Sequence, residues 1–332
     1  MHVKFFSMWA AAAVISVMFT APARAREPIR IKFSHVVTDT APKGRGALKF
    51  KELAEKALPG RVIVEVYANS SLYKDKEELE ALQLGSVQML APGLEKFAPV
   101  GVREFEVFNI PYLLPNQAAV TKITEGPIGR RLLDKLEPKG FKGLGYWDNG
   151  FKMFSANKPL RVPDDVKGLK MRIQSSRVVE AYIRRLGALP QVMSFSELYQ
   201  ALQTGVVDGC ENPPSSMLTQ KFDEVQKYTT ITNHAHLGYV LVVQKKFWDS
   251  LPDDVRPALD KAAADATHFT NSIAEKDNAD ALAEMKKSGK TQFIELTAEQ
   301  KALWVTALSG VREEAAKRVG AEIIAEIDAA LK

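Results

Sequence analysis

The side chains in this sequence that are placed to act on a small molecule are cations and amides, without a nucleophile beside a base. Arg172 falls in GLKMRIQSS, residues 168–176, which reads as a short strand, a turn and a helix start, with Ser175 or Ser176 as N-cap. The helix, about 177–186, carries Val178, Val179, Tyr182, Ile183 and Leu186 on one face. Arg172 is then expected near the carboxyl end of a strand, where open α/β sheets bind ligands. A helix N-terminus beside it favours an anion, and a guanidinium can grip a carboxylate by two parallel hydrogen bonds. The same pattern also suits a structural arginine. His35 and Lys43 flank another strand-to-helix turn, and Lys152 lies near a further strand end. Asn212 follows an expected strand at 205–208 and precedes two prolines, and Phe195 begins a helix. Such a set suits holding a small anion.

The positioning elements follow from periodicity. IRIKFSHV (29–36) alternates as a half-buried strand, and Thr40 and Pro42 mark the start of a helix running to about Ala57. RVIVEVYA (61–68) is a second strand and VQMLAP (87–92) a short buried one. Asp75 with Glu78, and Ser194 with Glu197, have capping-box spacing. EALQLGSV (80–87) and QALQTGVV (200–207) share five of eight residues, each a helix, a glycine stop and a strand. This points to two similar α/β lobes. Residues 140–157 read as strand, break at Asn149-Gly150, and strand, which is the expected first crossing between lobes. From Pro252 to Lys287 one helical pattern runs for roughly 50 Å, long enough to brace both lobes. The lobes are expected to comprise 26–149 plus 238–277, and 150–237 plus 278–332.

The first 25 residues look like an export signal: Lys4, an apolar run over 8–21, and Ala23-Arg24-Ala25 as a cleavage site. An uncleaved anchor is the alternative. The chain has 332 residues and a net charge of +5 without any basic block, so a nucleic-acid surface is poorly supported. Cys210 is the only cysteine, so no internal disulfide forms, and it reads as a buried bystander. No hydrolase, zinc-protease or phosphate-loop motif is present. His35, His234, His236 and His268 are scattered without carboxylates at ligand spacing, so neither a metal nor another cofactor is expected.

The runs FSHVVTDTAPKGRGALKFKELAEK, SLYKDKEELEALQLGSVQMLAP, YWDNGFKMFSANKPLRVPDDVKGLKMRIQSS, FSELYQALQTGVVDGCENP and TNHAHLGYVLVVQKKFWDSLPDDVR closely resemble the DctP family. These are the solute-binding proteins of tripartite ATP-independent periplasmic (TRAP) transporters. The resemblance implies an α/β periplasmic-binding-protein fold of two lobes with a ligand cleft between them and a long bracing helix. It implies a periplasmic, monomeric receptor that hands an organic acid to membrane-embedded TRAP permease subunits, with no enzymatic activity. The family's carboxylate-gripping arginine matches Arg172, its second basic residue Lys152, its D-G-x-E-N-P asparagine Asn212, and its ligand-covering aromatic Phe195. His35, Lys43 and Tyr239 match cleft positions of relatives that bind four-carbon dicarboxylates. The family usually has glutamine where Cys210 stands, which could alter the cleft floor. The expected ligand is succinate, fumarate or malate. Another organic acid, an exported enzyme acting on one, and a protein presenting its ligand to a membrane receptor kinase are the competing readings.

Overall fold

The computed structural model describes residues 27–332; the expected export signal at 1–25 lies outside the described residues. The described residues form eleven strands: β1 (Ile29–Ser34), β2 (Val62–Tyr67), β3 (Met89–Leu90), β4 (Phe141–Phe151), β5 (Met153–Ala156), β6 (Lys170–Ile173), β7 (Leu189–Val192), β8 (Gly209–Asn212), β9 (Tyr228–Ile231), β10 (His236–Gln244) and β11 (Gln292–Glu295). They build two sheets, in the orders β2-β1-β3-β10-β4 and β11-β9-β5-β8-β6-β7. In the first, β1 runs parallel to β2 and β3, while β10 is antiparallel to β3 and β4. The parallel strands are fed by helices, and Ile31, Phe33, Val62 and Val64 are buried among them.

The chain passes between the sheets three times, the last time from β10 to β11 through the long helix Arg256–Ser288; the first two passages are direct. It leaves the first at β4 and enters the second at β5, with Lys152 between. It returns from β9 to β10 through Thr232–Ala235. The two direct passages lie side by side, the Lys152 amide donating to the Ala235 carbonyl at 2.9 Å. The break therefore falls at Lys152 and not at Asn149-Gly150. Gly150 still has a left-handed φ of 107°, and the β10–β4 register shifts at Leu237/Gly238 and at Leu241/Val242. β4 bends there while staying paired, so a glycine that sequence alone reads as a stop is a bulge.

The long helix runs Arg256–Ser288, starting four residues later than expected, and ends on Gly289 at φ 67°. Its Ala262, Ala263, Ala266 and Thr270 are buried towards the helix Pro42–Ala57 and β4, and Met285 joins the second lobe's core. β4 is an edge strand, and the long helix satisfies its outward backbone. The Asp148 amide donates to Asn271 Oδ1 (2.9 Å), and Asn271 Nδ2 donates to the Tyr146 carbonyl (3.0 Å). Asn278 Nδ2 donates to the Asn149 carbonyl (2.7 Å) and its Oδ1 accepts from the Ser215 amide (3.0 Å). Covering an edge in this way also protects it from pairing with another chain.

Candidate ligand cleft

A cavity of about 380 Å³ lies between the lobes. The first lobe contributes Val36, Val37, Lys43, Asp75, Gly93, Glu95, Lys96, Leu237 and Tyr239; the second contributes Arg172, Gln174, Phe195, Asn212 and Ser216. Five of the seven expected site residues are thus together: Arg172, Asn212, Phe195, Lys43 and Tyr239. His35 and Lys152 are not among the lining residues.

Arg172 sits on β6 and is 1% exposed. Its Nε and Nη2 both donate to the Met193 carbonyl, at 3.0 and 2.8 Å. That carbonyl fixes one edge of the guanidinium, and Nη1 makes no hydrogen bond among the described residues. Phe195 lies beneath the guanidinium, 5.6 Å from its carbon to the ring centroid. Burial lowers the Arg172 pKa from its ordinary value, with Asp75, 3.8 Å away, acting the other way.

Ser176 does cap the following helix, Arg177–Arg185, accepting from the Val179 amide at 3.2 Å. The N-terminus it caps is not free for a ligand. Glu106 occupies it, accepting from the Arg177 amide (2.6 Å), the Val178 amide (3.4 Å) and the Ser176 hydroxyl (2.8 Å), with Arg318 on its other oxygen. The expected helix field on the ligand is therefore answered by a carboxylate of the chain itself.

Lys43, on the helix Pro42–Ala57, is 1% exposed. Its ammonium donates to the Ala91 carbonyl at 3.1 Å and stands 3.8 Å from the Tyr239 ring centroid. No carboxylate lies within ion-pair distance of it among the described residues. Burial pushes it down to about 7, against the pull of Glu78. Asn212 is the last residue of β8 and not, as expected, a residue after a strand; Met153 of β5 pairs with it. Its amide approaches Cys210 Sγ at 3.7 Å. Cys210 itself is fully buried beneath it, 3.3 Å from the Ser155 hydroxyl, and burial raises its thiol. It is walled off from the cavity.

Lys152 is fully buried but turned to another partner. Its ammonium donates to Glu211 Oε1 (2.8 Å) and Asn109 Oδ1 (3.0 Å). Glu211 Oε2 accepts from the Tyr182 hydroxyl (2.5 Å) and faces His234 Nε2 (2.8 Å). Burial pushes the Glu211 carboxyl up, but Lys152 and His234 outweigh it and hold the group well below the usual range. His35 is also fully buried, with neither ring nitrogen hydrogen-bonded and Asp39 3.7 Å away. Burial, then the charge of Lys43, push it down to about 3, so it stays neutral.

The polar lining residues that sequence reasoning missed are Asp75, Glu95, Lys96, Gln174 and Ser216. Neither expected capping box forms, since the helix Glu78–Gln83 and the turn Phe195–Glu197 lack side-chain caps. Asp75 instead reaches across the cleft and accepts from the Phe195 amide at 3.2 Å, while Lys96 bridges Asp75 (3.3 Å) and Glu78 (2.9 Å). Glu197 pairs with Lys74 at 2.7 Å, and Lys76 Nζ donates to the Val192 carbonyl at 3.4 Å. Residues 74–76 thus latch the first lobe onto the second. A signal for Lys96 and Glu95 was present: they interrupt the apolar run VQMLAPGLEKFAPV, and a charged pair in such a run is either buried or wrong for a strand.

Residues 33–318 match the family described as bacterial extracellular solute-binding protein, family 7 (DctP). The chain is 60% identical over 319 residues to the C4-dicarboxylate-binding periplasmic protein DctP of Rhodobacter capsulatus, covering 96% of each. A TRAP periplasmic solute-binding protein of Shewanella oneidensis with bound succinate superposes with a TM-score of 0.90 at 40% identity, covering 92% of this chain and 100% of that one. One from Pseudomonas aeruginosa with bound L-malate gives 0.84 at 42% identity, covering 86% and 100%. A family match across most of the chain, together with a two-lobe fold shared over its length, makes this chain a member of the DctP family of TRAP transporter solute-binding proteins.

Proposed function

We propose that the protein is a periplasmic TRAP receptor for a four-carbon dicarboxylate, which it surrenders to a membrane-embedded permease. The observation that carries this reading is the pair of buried cations, Arg172 and Lys43, reaching one small cavity from opposite lobes. One ligand carboxylate takes the terminal edge of Arg172 and an amide hydrogen of Asn212. The other faces Lys43. Phe195 and Tyr239 cover the carbon chain. The cavity is small and lined from both lobes, which suits succinate, fumarate or malate. The succinate and malate bound by the Shewanella and Pseudomonas proteins support the same class.

In this reading the protein binds and does not turn over. No lining nucleophile stands against a base, and no cofactor or metal is called for. Among the described residues no cluster of metal-ligating side chains occurs and no helix is long and apolar enough to cross a membrane. The receptor acts as a monomer exported through residues 1–25, without nucleic acid. His35 and Lys152 belong to the walls behind the ligand: His35 is a neutral neighbour of Lys43, and Lys152 holds the passage between lobes.

The test is a thermal-shift screen against organic acids, followed by calorimetry. A ligand that binds only the native state raises apparent stability according to its concentration over Kd. Succinate, fumarate or malate should shift the protein strongly, and the acid should be recovered unchanged. A shift confined to monocarboxylates or sugar acids would remove Lys43 from its assigned role.

A further inference from the structure

Of the two side-chain amides that line the cavity, one is without a partner. Asn212 approaches the Cys210 sulfur, whereas the Gln174 side chain makes no hydrogen bond among the described residues. Gln174 is 7% exposed, and its Oε1 is fully buried. Its place is set by β6. It follows that strand directly, two residues on from Arg172, and alternation along an extended chain puts both side chains on one face. Its backbone carbonyl accepts from the Ser176 amide at 2.8 Å, which turns the chain towards the helix Arg177–Arg185. The amide therefore flanks the guanidinium from a fixed point of the backbone.

A buried carbonyl oxygen without a donor is costly. Succinate and fumarate, as dianions, carry only acceptors. They can answer Arg172, Lys43 and the Gln174 NH2 group, but they leave Gln174 Oε1 as it is. A hydroxyl on the carbon next to the carboxylate held by Arg172 supplies a donor at that end of the ligand. The edge of a 2-hydroxy acid then presents a donor and an acceptor side by side, which is the complement of a primary amide.

Resting on the dicarboxylate reading above, we propose that Gln174 makes the site selective for a 2-hydroxy dicarboxylate, one enantiomer of malate, over succinate and fumarate. Arg172 holds the carboxylate, and Gln174 Oε1 accepts from the hydroxyl on the adjoining carbon. Handedness follows because Gln174 stands to one side of the guanidinium. Only one enantiomer aims its hydroxyl there while its far carboxylate faces Lys43. A site built to hydrogen-bond a ligand hydroxyl discriminates against the analogue that lacks it.

Calorimetry with succinate, both malate enantiomers and both enantiomers of 2-methylsuccinate separates the hydroxyl's hydrogen bond from its bulk. One malate enantiomer should bind about tenfold or more tighter than succinate, and neither methylsuccinate should match it. Gln174→Met keeps the reach of the side chain and removes the amide, so the malate-to-succinate ratio should fall to about one. Equal binding of malate and succinate by the native protein overturns the inference, and so does a methylsuccinate that binds as tightly as malate. A ratio that survives in Gln174→Met gives the hydroxyl to another acceptor, such as Glu95, and overturns it too. Should that variant not fold, Gln174→Asn, which withdraws the amide by one methylene, takes its place with the same expected loss of ratio. Absence of any succinate, fumarate or malate binding would instead overturn the dicarboxylate reading itself.

Discussion

Two buried ionic centres stand at the junction of the lobes, and they are built on opposite principles. Around Glu211 every charge is answered: Lys152 has Glu211 and Asn109, and Glu211 has Lys152, Tyr182 and His234. In the cleft, Arg172 hydrogen-bonds only the Met193 carbonyl, with Asp75 3.8 Å away, Lys43 has only a carbonyl and a ring face, and Glu95 makes no side-chain hydrogen bond among the described residues. Buried charge is costly unless paired. In the proposed reading, the closed network serves the architecture and the open one serves binding. Both centres contain a basic residue that resemblance assigns to the ligand, Lys152 and Arg172, and the state of their partners separates the two roles.

Breaking each centre should have a different readout. The largest effect is expected for Lys152→Met, which strands the Glu211 carboxylate. Removing one partner of a buried pair costs about 3–5 kcal/mol, so denaturant unfolding should show a loss of that order. Wild-type stability with lost binding would place Lys152 in the cleft after all. Next comes Arg172→Ala, where truncating one partner of a desolvated charge pair costs about 2–5 kcal/mol of binding. Dicarboxylate affinity should fall by roughly 30-fold or more while the unliganded fold is retained. Arg172→Lys should also bind poorly, because an ammonium lacks the fork. Near-native affinity in the alanine variant would sink the assignment. The smallest effect belongs to the latch. Lys74 and Glu197 are exposed, so Lys74→Ala should weaken binding less than about fivefold, and added salt should shrink the difference further.

The lobes and the brace were legible because they follow from local pattern: alternation in β1 and β2, the repeated helix-glycine-strand unit, and an uninterrupted helical stretch ending at Gly289. The cleft was half legible. Arg172 and Asn212 stand in distinctive runs, and Phe195 and Lys43 follow from the resemblance. Asp75 and Glu197 misled, because capping-box spacing is a local signal and tertiary contacts across the cleft claimed both side chains. Glu106 was invisible for the same reason: its place at the N-terminus of Arg177–Arg185 depends on a contact between residues far apart in sequence. Lys152 reads identically as a ligand group or a network member until Glu211 is seen beside it.

The two direct passages between the sheets are hydrogen-bonded to each other at Lys152 and Ala235, whereas residues 74–76 touch the opposite lobe at the cavity's rim. A ligand enclosed between them can exchange only if the lobes part. The first contact is then a pivot and the second the far end of a lever. Spectroscopic labels at positions 74 and 197 will see the full stroke of each capture and release, while labels at 152 and 235 will scarcely register it.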